Sequence, residues 1–169
     1  MTDRHRTRTT LAALLAAAAV TAGCATADAA PPQADAEQRN THLVREAFTR
    51  GVGDAETFYA ILADDVTWTV ARATAPTTYT SRQQFLDDGA APIVDRLTGQ
   101  IQADVQELIA DDDQVVARWR GTATARDGVP YVNEYAWVMT MANERVTRVV
   151  AYLDLVALDD LITRVPLPS

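Results

Sequence analysis

The chain of 169 residues has room for one domain, at the usual ~100–200 residues per domain, and for little else. Its 48% hydrophobic and 22% charged residues describe a globular chain rather than a disordered or fibrous one. Net charge is -8, and all 15 basic residues are Arg, scattered among 23 acidic ones, so the clustered cations that bind nucleic acid are missing.

The first 23 residues read as an export signal. Arg4, Arg6 and Arg8 precede a short apolar run, Leu11 to Val20, which ends in Thr21, Ala22, Gly23 and Cys24. That run is shorter than the ~20 residues of a membrane-spanning helix, but it has the charged start, apolar middle and small-residue end of a secretion signal. The Ala-Gly-Cys ending resembles a bacterial lipoprotein box, which implies that Cys24 becomes the lipid-bearing first mature residue. Cys24 is the only cysteine, so no disulfide within the chain can form. Acylation would consume a thiol that is otherwise a liability in an oxidising compartment. Cleavage leaves 12 basic and 22 acidic residues, so attachment to a membrane would come from acyl chains and not from charge. The expected protein is therefore exported and held on the extracytoplasmic side of the cell membrane. Residues 24–34, small and Pro-containing without aromatics, read as a flexible tether, and residues 35–169 as the folded domain.

In the domain, Asp35 with Gln38 predicts a helix start, and Leu43, Val44, Ala47, Phe48 and Val52 form its apolar stripe until Gly51 and Gly53 end it. Asp54 is read as the cap of a second short helix carrying Phe58, Tyr59 and Leu62. A strand at Val66 to Val70 and a loop with Pro76 follow. Ser81 and Gln84 make a capping box for a third helix, which Pro92 should kink.

From residue 101 onward Val, Thr, Trp and Tyr rise and turn signals recur, which predicts strands at Ile101 to Ile109, Gln114 to Ala125, Tyr131 to Met141 and Val146 to Leu153. Their short connections imply an antiparallel meander. Asp154 caps a final helix, Leu155 to Thr163. The expected fold class is α+β, with helices on one face of a curved sheet.

The chemistry is mostly defined by what is missing. Only His5 and His42 are histidines, so a multi-histidine metal site is excluded, and the Asp111 to Asp113 run lacks the spaced ligands of a calcium loop. Ser81 and Ser169 are the only serines, and neither sits in a nucleophile elbow. No glycine-rich phosphate loop occurs. No cofactor is expected. On the 131–141 strand, Tyr131, Asn133, Tyr135, Trp137, Met139 and Met141 share a face that serves either as a pocket wall or as core. On the preceding strand, periodicity assigns the face carrying Arg118 and Arg120 to solvent.

The Ala63-Asp64-Asp65-Val66 segment, the Val115 to Trp119 stretch, the 131–141 strand and the Ala151 to Asp154 ending together resemble SnoaL-like members of the nuclear transport factor 2-like superfamily. The resemblance implies a cone: a strongly curved, mostly antiparallel sheet wrapped around N-terminal helices, with a short C-terminal helix, a pocket between sheet and helices, and often a homodimer. It also implies that Arg118 and Arg120 turn inward. Position by position, the acids of the family's isomerases and epoxide hydrolases are replaced here by Val70, Arg120 and Ala151. General acid–base work needs a carboxylate or imidazole in reach of the reacting proton. The expected function is therefore binding of a small, partly apolar ligand by Trp68, Arg118, Arg120, Asn133 and Tyr135. The alternatives are an isomerase, cyclase or hydrolase using Glu134 or Asp154 as a non-standard acid/base, and a protein-interaction module.

Overall fold

The computed structural model describes residues 32–75 and 77–167. The export signal, Cys24 and residues 24–31 of the expected tether lie outside them. Helix α1 runs Pro32–Thr49, so it begins ahead of Asp35, which lies in its first turn instead of capping it. Residues 32–34 thus belong to the helix and not to a tether. A proline suits a first helical turn because its missing N–H would have had no partner there. Val44, Ala47 and Phe48 face the core, and Gly51, at φ 78°, supplies the left-handed residue after the helix.

The segment after Asp54 differs from the expected second helix. Thr57 Oγ1 accepts from the backbone N–H groups of Gly53 and Asp54, both at 3.1 Å, and holds the chain in a tight turn. Only one turn of 3-10 helix follows, Phe58–Ile61. Strand β1 spans Leu62–Val70 and β2 spans Thr77–Tyr79, the latter paired antiparallel to β1 with Trp68 opposite Tyr79. Next, α2 (Arg82–Gln84) runs directly into a π-helical turn, Phe85–Ala90, and then into α3 (Ala91–Val94). The predicted cap is present, for Ser81 Oγ accepts from Gln84 N–H at 3.1 Å. The helix continues through Pro92, which lies within α3 just after the π turn; Pro92 has no N–H for the Asp88 carbonyl one turn back, and the Tyr79 hydroxyl donates to that carbonyl at 3.4 Å.

Strands β3 (Gln102–Asp111), β4 (Gln114–Thr124), β5 (Pro130–Ala142) and β6 (Arg145–Leu153) form the predicted antiparallel meander. The β5–β6 loop is the pair Asn143-Glu144, with φ of 51° and 59°, the turn geometry that matches strand twist. The sheet order is β2-β1-β6-β5-β4-β3, and β1 lies parallel to β6. Register shifts between Val105 and Glu107 and between Thr140 and Met141 mark irregularities of the kind that bend strands. The curved, unclosed sheet wraps around α1 and the 58–61 turn to give the α+β cone.

Strand alternation decides what faces inward. On β4, Val115, Ala117 and Trp119 are buried while Arg118 and Arg120 are exposed. On β5, Tyr131, Asn133, Tyr135, Trp137, Met139 and Met141 are all buried. Phe48 from α1 meets this wall, with its ring centroid 5.3 Å from Trp119 and 5.7 Å from Trp137. Helix α4, Leu155–Arg164, closes one end with Leu158 and Leu161 buried.

Candidate functional site

The inner surface of the cone leaves a small void. Its floor is Trp119 on β4, Tyr135 and Trp137 on β5, and Ala151 and Leu153 on β6. Trp68 and Val70 come from β1, and Val52, Tyr59 and Ile101 from the flanking segments. Phe85, Gly89, Ala90, Ile93 and Val94, all from the π-turn and α3, form the cover. π-Helical turns recur at functional sites because the extra residue re-aims side chains. The void measures about 60 Å³, well below the ~300–1,000 Å³ of most ligand pockets. Phe85 is buried in the lining, stacked on Trp68 with centroids 3.9 Å apart and planes 17° from parallel.

The wall is aromatic and neutral. Trp119 and Tyr135 stack at 4.0 Å and 8°, and Trp137 meets both edge-on. Burial raises the pKa of Tyr59 and Tyr135 far above the ordinary tyrosine value, and the neighbouring Tyr131 adds to both shifts. Burial likewise raises Tyr131. All three phenols therefore stay protonated at physiological pH and act as hydrogen-bond groups, not as bases. The Tyr131 and Tyr135 hydroxyls lie 3.1 Å apart, and Asn133 Nδ2 donates to Tyr131 at 3.0 Å. Trp119 Nε1 is buried without a partner among the described residues.

Of the residues expected at the site, Trp68 and Tyr135 line the void. Asn133 is buried beside it, and its amide is committed to Tyr131 and to the Asp154 backbone. Arg118 and Arg120 do not turn inward, and this corrects the expectation drawn from the resemblance. Their side chains are 55% and 48% exposed on the outer face, where Arg118 Nε lies 3.3 Å from Glu107 and Arg120 Nη1 2.8 Å from Glu134. The physical reason is the two-residue strand period: Trp119 between them fills the core, so both neighbours must face water. Glu134 shares that outer face, and Asp154 caps α4, accepting from Val156 N–H at 2.8 Å and Ala157 N–H at 3.2 Å. Neither carboxylate reaches the void, and the acid/base role considered for each is withdrawn. Trp137 lies on the strand face read as pocket wall or core, and it lines the void; Tyr59, Phe85 and Trp119 were not anticipated as lining, since their only signal was membership of apolar stripes, which core residues share.

A larger concavity, about 820 Å³, lies outside the cone between α1 and the β3–β4 and β5–β6 turns. Its rim carries Arg39, His42, Glu46, Asp112, Asp113 and Glu144, over Leu43 and Met141. No group of three metal-ligating side chains forms there or elsewhere among the described residues. Charged groups at such an open rim stay hydrated, so the enclosed cone interior is the better candidate for a site. No helix among the described residues is long and apolar enough to cross a membrane.

Residues 41–149 match the model of the SnoaL-like domain. Among solved structures, a candidate SnoaL-like polyketide cyclase from Jannaschia sp. CCS1 superposes with a TM-score of 0.62 at 16% identity, over 80% of this chain and 97% of that one. PrhC from Penicillium brasilianum gives 0.60 at 15% identity, over 76% and 89%. A nuclear transport factor 2-like protein of unknown function from Burkholderia pseudomallei gives 0.57 at 20%, over 74% and 98%. At these identities the likeness speaks for the fold alone. No curated protein matches the chain.

Proposed function

The chain belongs to the SnoaL-like family, and from that premise we propose that its cone holds a small, largely apolar molecule without transforming it. One observation carries the reading: the void is walled by Trp68, Trp119, Tyr135 and Trp137, and among the described residues its lining contains neither a carboxylate nor an imidazole. Burial of apolar surface supplies affinity in such a site at roughly 25 cal/mol per Å², while the titratable side chains of the described lining are the phenols of Tyr59 and Tyr135, which burial holds protonated and unfit as bases. A ligand larger than a few waters displaces Phe85 from Trp68, so the π-turn serves as the cover that yields. The proposal extends to location. The Arg-rich start, the Leu11 to Val20 run and Cys24 support a lipid-anchored domain on the extracytoplasmic side, supplied with apolar molecules from the adjacent membrane or medium.

The test is toluene binding to the purified protein, followed by thermal unfolding and by methyl and aromatic shifts in NMR. A ligand that binds only the folded state raises the melting temperature. Toluene should do so, and Ala151→Leu, which fills the void from β6, should abolish the effect. No shift, or a shift unaltered in Ala151→Leu, counts against the reading.

A further inference from the structure

The hydrogen bonds behind the cone wall fix which hydrogen Tyr135 has to give. Asp154 N–H donates to Asn133 Oδ1 at 2.9 Å, which sets the orientation of the Asn133 amide. Its Nδ2 then donates to the Asp154 carbonyl and to the Tyr131 hydroxyl oxygen, each at 3.0 Å. Tyr131 is therefore an acceptor towards Asn133, and its own hydrogen still needs a partner. Tyr131 is 2% exposed, and the acceptor within reach among the described residues is the Tyr135 oxygen at 3.1 Å. The reverse direction would strand the Tyr131 hydrogen in the core, the costly way to bury a hydroxyl. The chain of donors thus runs Asn133 to Tyr131 to Tyr135, and it leaves the Tyr135 hydrogen free on the residue that lines the void.

A second unpartnered donor is buried in the same wall. The Trp119 ring, stacked on Tyr135 at 4.0 Å, keeps its buried Nε1–H without a partner among the described residues. Among the described residues the void is thus lined by neutral groups, with the Tyr135 hydrogen to donate and only the hydroxyl oxygens of Tyr59 and Tyr135 as side-chain acceptors. It also lacks a cation, since no Arg among the described residues lines the void, so an anionic ligand would be buried without countercharge. Burial keeps the Tyr135 phenol protonated and able to donate.

We infer that the cone selects a neutral molecule bearing a hydrogen-bond acceptor oxygen, a carbonyl or ether on a compact apolar body, and that the Tyr135 hydroxyl donates to that oxygen. The inference rests on the binding function proposed above and specifies its ligand class. Asn133 and Tyr131 are positioning residues for the donor.

The purified protein can be titrated by NMR with cyclopentanone, with its shape-matched hydrocarbon methylenecyclopentane, and with cyclopentanecarboxylate. Tyr135→Phe should weaken cyclopentanone about three- to tenfold, the range for one neutral hydrogen bond. Methylenecyclopentane should stay within about twofold, because phenylalanine keeps the ring and its stacking. In the wild type, the infrared carbonyl stretch of bound cyclopentanone should lie below its position in hexane; this decides the matter even if Tyr135→Phe does not fold. A stretch at the hexane position, equal losses for ketone and hydrocarbon, or carboxylate binding as tight as the ketone overturns the inference while leaving a binding cone intact. If neither neutral probe binds, the underlying function falls and the inference falls with it.

Discussion

Phe85 lies flat on Trp68 in the lining of the void, and the π turn that carries it is pinned from the sheet edge, where the Tyr79 hydroxyl donates to the Asp88 carbonyl at 3.4 Å. Gly89 leaves no slack beneath, since a Cβ there would meet both Phe85 and Tyr79 at 2.9 Å. The closed void and the π-turn are thus one construction: the turn lowers an aromatic ring onto an indole, and a ligand must part them.

Phe85→Ala removes that ring and should behave as a cavity mutation. Loss of a large buried aromatic costs about 3–5 kcal/mol, less where the site collapses, and urea unfolding measures it. The same variant should bind toluene more tightly than wild type in NMR titration, because space is already present. A stability loss with no gain in toluene binding would mean that the cover collapses into the void.

Arg120→Ala and Glu134→Gln test the outward placement of the pair. An ion pair about half exposed on each side contributes about 0–1 kcal/mol, so either variant should shift the urea midpoint only slightly. Neither should change cyclopentanone affinity. A tenfold loss in Arg120→Ala would restore the inward arginine that strand geometry rejects.

This pair also shows what the sequence could and could not convey. The two-residue alternation through Arg118, Trp119 and Arg120 assigns both arginines to water, and it is right because one large core side chain fixes a strand's facing for its neighbours. The resemblance suggested the opposite, and at these positions local physics outweighs it. The meander and α4 were legible because their turns and caps are local. Strand β2 was not: Thr77–Tyr79 is three residues long, and it exists through its register with Trp68 on β1. The segment after Asp54 has helical spacing, yet Thr57 Oγ1 diverts its first turn. Trp68 and Tyr135 could be named as wall residues, but Phe85 and Tyr59 could not, because sheet curvature brings β1, β5 and the π-turn together across long stretches of chain.

Asn133 and Asp154 join the wall to α4. Asp154→Ala removes the side-chain cap of that helix, at a cost of about 0.5–2 kcal/mol in urea unfolding. Asn133→Leu should cost more, since it takes the amide donor from both the Asp154 carbonyl and the Tyr131 hydroxyl and leaves the Asp154 N–H only its 3.2 Å bond to the Glu134 carbonyl. Near-equal losses would show that water replaces the Asn133 amide.

Cys24→Ser addresses the anchor. In a host with lipoprotein processing, the wild-type protein should partition to the membrane fraction and carry a diacylglyceryl mass on its first mature residue. Cys24→Ser should lose that mass and leave the membrane fraction. Membrane association that persists without the mass would place the attachment elsewhere.

Alkaline pH should unfold the protein through its buried phenols. Tyr59, Tyr131 and Tyr135 have pKa values raised above the unfolded value of about 10, chiefly by burial. The folded state then holds more protons than the unfolded state above that pH, so stability falls as pH rises. The contribution is fully present below pH ~10 and is lost progressively from there towards the folded-state values. Absorbance of tyrosinate should therefore lag for these three residues and appear together with loss of tertiary circular dichroism. Replacing Tyr59 with Phe removes one such group and should make the fall of stability with pH shallower above pH ~10. Ionisation of all three phenols in a still-folded protein would show that the cone interior is open to water.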